Sequence, residues 1–318
     1  MSVQYTVSSS PHIREGTSTT RIMADVLLAL LPTTIAAVWF FGPRALAVAL
    51  VCVITAVGWE WASRRLMKRQ DTTGDLSAAV TGLLLALNLP VAVPLWMAAV
   101  GTFVAVVVIK QLFGGIGQNF MNPALGARAI LTVAYGQAMT AWVAPGWTAA
   151  GVDAVSAATP LGVLKDGGIM PGYADLFLGN VGGSIGETSA LALLIGFLWL
   201  LARRVVSWEI PVLFCGTTVL LTWIAGPTGL FTGDPLYHLL AGSLLLGSIF
   251  MATDYATSPV SKKGKILYAI GCGLLTAVFR LFTTMPEGVS FAIILMNTLT
   301  PLLDRMTVPV SFGGERRG

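Results

Sequence analysis

The residues best suited to carry a covalently attached group lie in one short string, from Asp153 to Pro160. Thr159 precedes a proline, which favours an extended backbone and therefore the display of its hydroxyl. Small residues, among them Ser156 and Ala158, come before it and would let a bulky group or a modifying enzyme approach closely. This arrangement suits the attachment of a group to the threonine oxygen. An ordinary loop rich in serine and alanine is the alternative interpretation.

Two asparagines, Asn119 and Asn122, follow a glycine-rich string at residues 114–117. No strand is predicted before the glycines, and apolar runs lie on both sides, so the string does not indicate a dinucleotide-binding loop. Glycine here favours a backbone bend inside a helical bundle. The two amides suit either contact with a bound ligand or hydrogen bonding between helices.

Four ionisable residues, Lys110, Arg128, Asp254 and Arg280, lie within or at the edges of apolar runs. An isolated charge is costly there, so a paired or functional role is the default hypothesis. Asp254 stands among threonine and serine hydroxyls, which suits either coordination of a hard cation on an ion path or the capping of a helix. Lys110 ends its apolar run, and we interpret it as a surface residue whose charge reaches the membrane interface.

Other kinds of site are excluded by the residues present. The three cysteines, Cys52, Cys215 and Cys272, are far apart in apolar runs, so they predict neither a disulfide framework nor an iron–sulfur ligand set. His12 and His238 are the two histidines, and they form no cluster with metal-ligand spacing. The net charge of +4 comes from short basic clusters between apolar runs, which indicates membrane orientation and not nucleic-acid binding.

The elements that must position these residues are membrane helices. The 318 residues are 55% hydrophobic and only 11% charged, and the mean hydropathy is +0.79, so too few charges are present to cover a water-facing surface. The apolar runs between prolines, glycines and charges predict transmembrane spans at approximately 24–41, 45–61, 76–90, 95–110, 119–135, 189–202, 210–226, 237–252, 266–283 and 289–303.

The positions of lysine and arginine predict the orientation of these spans. With the N-terminus inside, 15 of the 19 basic residues fall on the cytoplasmic side. Those 15 are Arg14, Arg21, Arg64, Arg65, Lys68, Arg69, Lys110, Arg203, Arg204, Lys262, Lys263, Lys265, Arg305, Arg316 and Arg317. Both termini are therefore predicted to be cytoplasmic, and the string that contains Thr159 is predicted to lie outside.

A weak internal repeat relates residues 95–128 to residues 265–305. In the two copies, Lys110 and Arg280 precede Met-Asn pairs that end at Asn122 and Asn297. The predicted topology puts Lys110 at an inner end and Arg280 at an outer end, so the two halves must be inverted.

The predicted fold is an all-α polytopic membrane protein, with about ten transmembrane helices in two inverted five-helix repeats. Its segments are a cytoplasmic N-terminal stretch (1–23), the first repeat (24–135), an extracytoplasmic segment (136–188), the second repeat (189–303) and a cytoplasmic tail (304–318).

The string around Thr159 resembles the motif recognised by the flavin transferase that joins FMN through its phosphate to a threonine, written Asp-x-x-Ser/Thr-x-Ala-Thr. Asp153, Ser156, Ala158 and Thr159 match it, and Ala157 stands where glycine is common. Four more strings extend a family resemblance over nearly the whole chain: Ser77–Leu84, Gly114–Ala124, Met251–Pro259 and Glu287–Asn297.

With these strings the chain resembles the D subunit of the Rnf ferredoxin:NAD+ oxidoreductase complex, and its relative, the B subunit of the sodium-translocating NADH:quinone oxidoreductase. The short N-terminal segment favours the former. Tyr255 stands where proline is expected in the Met251–Pro259 string.

The resemblance implies a membrane protein that carries electrons, with FMN esterified to Thr159 on the outer face. It also implies a second, non-covalent flavin such as riboflavin near Asn119 and Asn122. The expected setting is the cell (inner) membrane and a six-subunit complex that oxidises reduced ferredoxin, reduces NAD+ and moves Na+ or H+ outward. The expected partners are the other Rnf subunits, the flavin transferase and membrane lipid.

A channel or transporter without redox activity is the alternative, because urea-transporter-like proteins use the same inverted five-span architecture and a fold does not determine a function. The flavin motif distinguishes the two hypotheses.

Overall fold

The computed structural model describes residues 17–146, 157–226, 229–283 and 288–308. In these ranges the chain is mostly helical, and a short hairpin pairs β1 (Ala225–Gly226) with β2 (Gly229–Leu230). The helices of the first half are α1 (Thr19–Phe41), α2 (Pro43–Leu66), α3 (Ser77–Leu87), α4 (Leu95–Phe103, continued as a π-helix over Val104–Gln111) and α5 (Pro123–Ala134). Three short helices follow, α6 (Gly136–Met139), α7 (Pro160–Asp166) and α8 (Tyr173–Leu178).

The second half contains α9 (Ala190–Ala202), α10 (Glu209–Ile224), α11 (Pro235–Leu240), α12 (Leu244–Leu246, continued as a π-helix over Gly247–Met251), α13 (Lys262–Phe282) and α14 (Val289–Thr307). Among the described residues, α1, α2 and α13 are long and apolar enough to cross a membrane, and α3, α4, α5, α9 and α10 are shorter apolar helices. The described part of the chain is therefore that of a helical membrane protein.

Local sequence determines where the long helices begin and end. The side chain of Ser18 accepts a hydrogen bond from the backbone N–H of Arg21 and starts α1. Gly42 ends it at a φ of 75°, a conformation that favours glycine, and Pro43 occupies the first position of α2, where its missing N–H has no cost. One glycine and one proline therefore produce the tight turn between two long helices.

One predicted span is wrong, because it is interrupted at Gly242, and two others are shorter than predicted. The span at 76–90 is helical only as α3, and all eleven of its residues are buried. It stops at Asn88, shortly before Pro90 and Pro94, which cannot continue a helix. The span at 237–252 divides into α11 and α12, and Gly242 lies in the break with a φ of 72°. The span at 119–135 is also shorter than predicted, since α5 begins at Pro123.

Glycines bring helices close together at the crossings, as expected for membrane bundles. A β-carbon on Gly82 of α3 would lie 2.6 Å from the Cys52 carbonyl oxygen of α2. A β-carbon on Gly196 of α9 would lie 2.3 Å from the Ala29 carbonyl oxygen of α1. The α1 and α9 helices belong to different halves, so this second contact joins the two halves.

Candidate flavin and ion sites

Thr159 is the N-cap residue of α7. Its backbone is extended (φ −68°, ψ 153°), as the following proline predicts, and its Oγ accepts a 3.2 Å hydrogen bond from the backbone N–H of Gly162. The side chain is only 5% exposed, whereas its neighbour Ala158 is exposed. The predicted display of the hydroxyl is therefore wrong for this conformation, because the oxygen is turned inward to cap the helix.

The other two residues of the attachment motif, Asp153 and Ser156, lie outside the described residues. The chain is described again from Ala157, whose backbone N–H donates to the Trp142 carbonyl at 3.1 Å. The Gly146 N–H donates in turn to the Phe40 carbonyl near the end of α1. Both sides of the motif are therefore joined to the same end of the bundle.

Residues from the second half hold α7 in place. The hydroxyl of Tyr237 donates to the Pro160 carbonyl at 2.9 Å, and the Lys165 ammonium donates to the Thr283 carbonyl. Tyr237 itself is tied to Asp234, whose Oδ1 accepts the Tyr237 backbone N–H at 3.0 Å and caps α11. The start of α7, next to Thr159, is thus held by α11, and its end is held by the end of α13.

Asp234 also connects α11 to α8. Its Oδ2 accepts a 2.6 Å hydrogen bond from the hydroxyl of Tyr173, and this bond raises the pKa of Tyr173. The short helices α7, α8 and α11 therefore form one polar cluster, built around the carboxylate of Asp234 and the ring of Tyr237. The sequence offered one signal for it, the Asp-Pro pair that starts α11, but neither Asp234 nor Tyr237 was predicted to belong to the site.

A cleft with a cavity volume of about 100 Å³ lies near the opposite end of the bundle. Its walls include Asn119, Asn122 and Asp254, three residues that the sequence suggested for ligand or ion binding, together with Lys110 and Ser77. Residues from the two halves of the chain therefore meet at one cavity, which the sequence alone did not predict.

The two asparagines have different roles in this cleft. Asn122 caps α5, since its Oδ1 accepts from the N–H groups of Ala124 and Leu125 at 3.0 and 3.3 Å, and its Nδ2 donates to the Met251 carbonyl at 3.3 Å. Interhelical hydrogen bonding therefore accounts for Asn122. The side-chain oxygen of Asn119 is buried and accepts no hydrogen bond within the described residues, so it offers a ligand an acceptor.

Asp254 lies in the turn between α12 and α13 and faces the same cleft. Its carboxylate accepts from the Ala256 N–H at 3.3 Å and from the Thr257 hydroxyl at 3.2 Å. Burial raises the pKa of Asp254, and these two hydrogen bonds and the charge of Lys110 oppose the rise. In the described residues no three His, Cys, Asp or Glu side chains come together, so Asp254 would hold a cation with neutral oxygens and not with further carboxylates.

Lys110 forms a buried ion pair, so our interpretation of it as a surface residue is wrong. Its Nζ lies 2.9 Å from Oε2 of Glu60, and the two side chains are 2% and 0% exposed. Nζ also donates to the Ser77 hydroxyl at 2.6 Å, and Gln111 and Thr72 donate to Oε1 of Glu60 at 2.9 and 2.7 Å. Glu60 was missed, because it stands between two tryptophans at the end of an apolar run; a lone carboxylate in such a run was the available signal.

The two arginines in apolar runs are also buried and bonded. Arg128 donates to Asn88 Oδ1 at 2.9 Å and to the Ser290 hydroxyl at 3.1 Å, which joins α5 to both halves. Arg280 donates to the carbonyls of His238 and Ala241 at the end of α11. Carbonyls freed at a helix break are suitable partners for a buried cation, so Arg280 stabilises the interruption between α11 and α12.

Comparison with known proteins identifies the family of this chain. The sequence profile of the NQR2, RnfD, RnfE family matches residues 6–313. The chain belongs to this family. The D subunit of the Na(+)-translocating ferredoxin:NAD(+) oxidoreductase complex of Acetobacterium woodii is 48% identical over 312 residues, which cover 97% of this chain and 95% of that relative. Family membership confirms the resemblance found in the sequence.

Two further members of the family are similar over nearly their whole length. The D subunit of the proton-translocating ferredoxin:NAD(+) oxidoreductase complex of Clostridium ljungdahlii is 45% identical, with coverage of 98% of this chain and 97% of the relative. The D subunit of the ion-translocating oxidoreductase complex of Stutzerimonas stutzeri is 42% identical, with coverage of 95% and 94%. The turn at Thr159 and the cleft lined by Asn119 and Asp254 therefore lie in a chain that aligns with Rnf D subunits over nearly its whole length.

Proposed function

We propose that this chain is the flavin-bearing D subunit in the membrane part of an Rnf-type complex, which transfers electrons between reduced ferredoxin and NAD+ and couples the transfer to ion translocation. The observation that carries the proposal is the 48% identity to a protein of that name over 97% of the chain. The remaining Rnf subunits of a six-subunit complex are its partners, and the complex resides in the cell membrane.

The coupling ion is Na+ or H+. Relatives of nearly equal identity, 48% and 45%, are named for sodium and for proton translocation respectively. Overall identity therefore does not distinguish the ions, and the residues at the ion path must be compared directly.

We further propose that Thr159 carries FMN as a phosphoester. The geometry is compatible with this, since Oγ is the acceptor in its bond to the Gly162 N–H, and an ester oxygen can still accept. On modification Oγ forms a bond to the FMN phosphorus of a flavin dinucleotide, the phosphoanhydride bond breaks, AMP leaves, and the hydroxyl proton passes to a base of the flavin transferase. The attached isoalloxazine supplies the electron chemistry, while the chain supplies position and environment.

We propose that the cleft at the other end of the bundle contributes to the site of a second, non-covalent flavin such as riboflavin. Its lining supports this proposal: most of the wall is apolar, and the Asn119 oxygen is a buried acceptor that suits an imide or hydroxyl donor. Asn122 contributes the shape of the wall through its cap of α5. Two flavin positions at opposite ends of the chain would divide the bilayer crossing into shorter electron-transfer steps.

Asp254 is our candidate for the ion path. It lines the same cleft, beside hydroxyl and carbonyl oxygens, and its charge is close enough to interact with Lys110. Because the carboxylate and the proposed flavin share one cavity, a change in the charge of either one would affect the other electrostatically.

The proposed architecture is ten transmembrane elements in two inverted repeats, with both termini cytoplasmic and Thr159 outside. The third element of the first half ends at Asn88, and the third element of the second half breaks at Gly242. A buried cation of the fourth element bonds to the third in each half, Lys110 to Ser77 and Arg280 to Ala241. This shared feature and the distribution of basic residues support the inverted arrangement.

The test is denaturing gel electrophoresis of the complex under ultraviolet light. Covalent FMN predicts a fluorescent band at the mass of this chain, 33.4 kDa plus the flavin, in cells that contain the flavin transferase. A dark band from such cells would refute the flavin attachment and favour the urea-transporter-like alternative.

A further inference from the structure

The oxygen proposed to carry FMN is not accessible in the docked conformation of α7. Thr159 is 5% exposed, and its Oγ is engaged with the Gly162 N–H, although the preceding Ala158 is exposed. A modifying enzyme has to bring this oxygen to the phosphorus of its flavin donor, within bonding distance. The docked conformation therefore excludes the reaction that the motif predicts.

The contacts that dock α7 on the bundle are made by Pro160, Leu161 and Lys165. Tyr237, itself only 1% exposed, donates its hydroxyl to the carbonyl of Pro160, the residue directly after the acceptor. Lys165 donates to the Thr283 carbonyl at the other end of the helix. Leu161 is buried between them and packs on the backbone at Gly242. These two hydrogen bonds and one buried leucine attach the short helix to the bundle.

We propose that α7 acts as a latch on the modification site: the hydroxyl of Tyr237 holds the unmodified α7 against the bundle, and Thr159 receives its flavin only while α7 is undocked. The inference rests on the proposed role of Thr159 as flavin acceptor. The N-cap hydrogen bond joins Gly162 of α7 to Thr159, the residue just before the helix. It therefore persists when α7 and Thr159 move together. The bond from Tyr237 to Pro160 joins α7 to α11, so it breaks on undocking.

Tyr237 is in this scheme a positioning residue with a defined direction of effect. The rate of any reaction that needs the undocked state is proportional to the population of that state. Removal of one ordinary hydrogen bond from the docked state raises that population roughly three- to tenfold. Tyr237→Phe keeps the buried ring and loses only the hydroxyl, so it should accelerate attachment of the flavin. If Tyr237 instead served to bind the transferase, the same substitution would slow attachment.

The first test measures access to position 159 without any flavin. In the complete complex purified in detergent, Ala158→Cys and Thr159→Cys are alkylated with a maleimide, and the native cysteines of the unmodified complex give the background. We expect the cysteine at 158 to react much faster than that at 159.

The effect of the latch is measured in the Thr159→Cys chain. There, Tyr237→Phe should raise the alkylation rate roughly three- to tenfold. Tyr135→Phe is the control: it alters an exposed tyrosine that packs on Trp96 and should leave the alkylation rate unchanged. Equal rates at 158 and 159, or no effect of Tyr237→Phe, would overturn the latch.

The second test measures transfer itself. Complex from cells that lack the transferase is incubated with the transferase and a flavin dinucleotide, and the fluorescent band is followed with time. We expect faster labelling of Tyr237→Phe than of wild type and an unchanged rate for Tyr135→Phe. Slower labelling of Tyr237→Phe would contradict the latch while leaving the acceptor role intact. No labelling of the wild type, with access at 159 as predicted, would instead refute the acceptor role on which the latch depends.

Discussion

In the amide orientation that satisfies its neighbours, the side-chain oxygen of Asn297 accepts a 3.1 Å hydrogen bond from the backbone N–H of Asn122, the residue that the internal repeat aligns with it. With the Asn297 amide oriented by its hydrogen bonds, its nitrogen donates to the Tyr268 hydroxyl at 2.7 Å and to the Thr257 carbonyl at 3.3 Å. The Asn122 side chain reaches the Met251 carbonyl of the second half. Two asparagines in corresponding positions therefore join the halves through polar groups, as expected near an axis that relates inverted repeats.

Thr159→Val should abolish the covalent flavin while the protein remains inserted. The change keeps nearly the same volume and removes both the ester oxygen and the N-cap acceptor, so it should also cost about 1 kcal/mol in local stability. Mass spectrometry of the purified chain checks the result. Ser156→Ala, which leaves Thr159 in place, should reduce flavin loading less, and a flavin mass on the valine variant would identify another acceptor.

A cysteine introduced at Lys165 should react with a membrane-impermeant maleimide in intact spheroplasts. The side chain is exposed on α7, and the distribution of basic residues predicts that this segment lies outside. The unmodified chain is the control, because Cys52 and Cys272 are buried. Labelling that occurs only after the membrane is disrupted would reverse the proposed topology.

Asp254→Asn should weaken ion-dependent electron transfer in the assembled complex without lowering the amount of protein or of covalent flavin. The asparagine oxygen can still accept from the Ala256 N–H, and its amide nitrogen can donate to the Thr257 hydroxyl in place of the second oxygen, so the turn should persist. The charge needed to hold a cation is lost. The measurement is activity as a function of ion concentration. Unchanged ion dependence would reduce Asp254 to a structural role in its turn.

Glu60→Gln should destabilise the protein by about 3–5 kcal/mol, because it leaves the buried ammonium of Lys110 without its carboxylate. Thermal unfolding of the purified complex, followed through aggregation of this chain, measures the loss. The double variant Glu60→Gln with Lys110→Met should recover part of it, since no unpaired charge remains. Asp25→Asn is the matched control, since its partner Arg203 is 37% exposed and such pairs contribute about 1 kcal/mol or less.

Features that depend on neighbouring residues in the sequence, such as a proline or an apolar run, predicted local structure well. Pro160 correctly predicted the extended backbone at Thr159, and apolar runs predicted α1, α2 and α13 within a few residues. Burial of a charge was harder to predict, because it depends on a partner from another helix. Lys110 looks like an interface lysine until Glu60, 50 positions earlier, is placed beside it.

The positions at which helices stop or break inside the bundle were also hard to predict from the sequence. Run length and hydropathy are similar whether a segment crosses the membrane or stops inside the bundle, and Pro90 and Pro94 indicated only that the end of this span could be broken. The distinction requires knowing that Asn88, where α3 ends, meets Arg128 from α5. The shared cleft of Asn119 and Asp254 was unpredictable for the same reason, because it forms only when the two halves pack together.

The burial of every residue in α3 has a consequence for biosynthesis. Its eleven residues rise about 16 Å, roughly half of the hydrocarbon thickness of a bilayer. Such a segment cannot leave the translocon sideways into lipid as an independent unit, because its ends would carry unpaired backbone groups into hydrocarbon. The helices α2 and α5, between which it packs, are made before and after it. The ribosome must therefore synthesise α5 before α3 can reach its final place, so the first half is assembled out of the order in which it is translated.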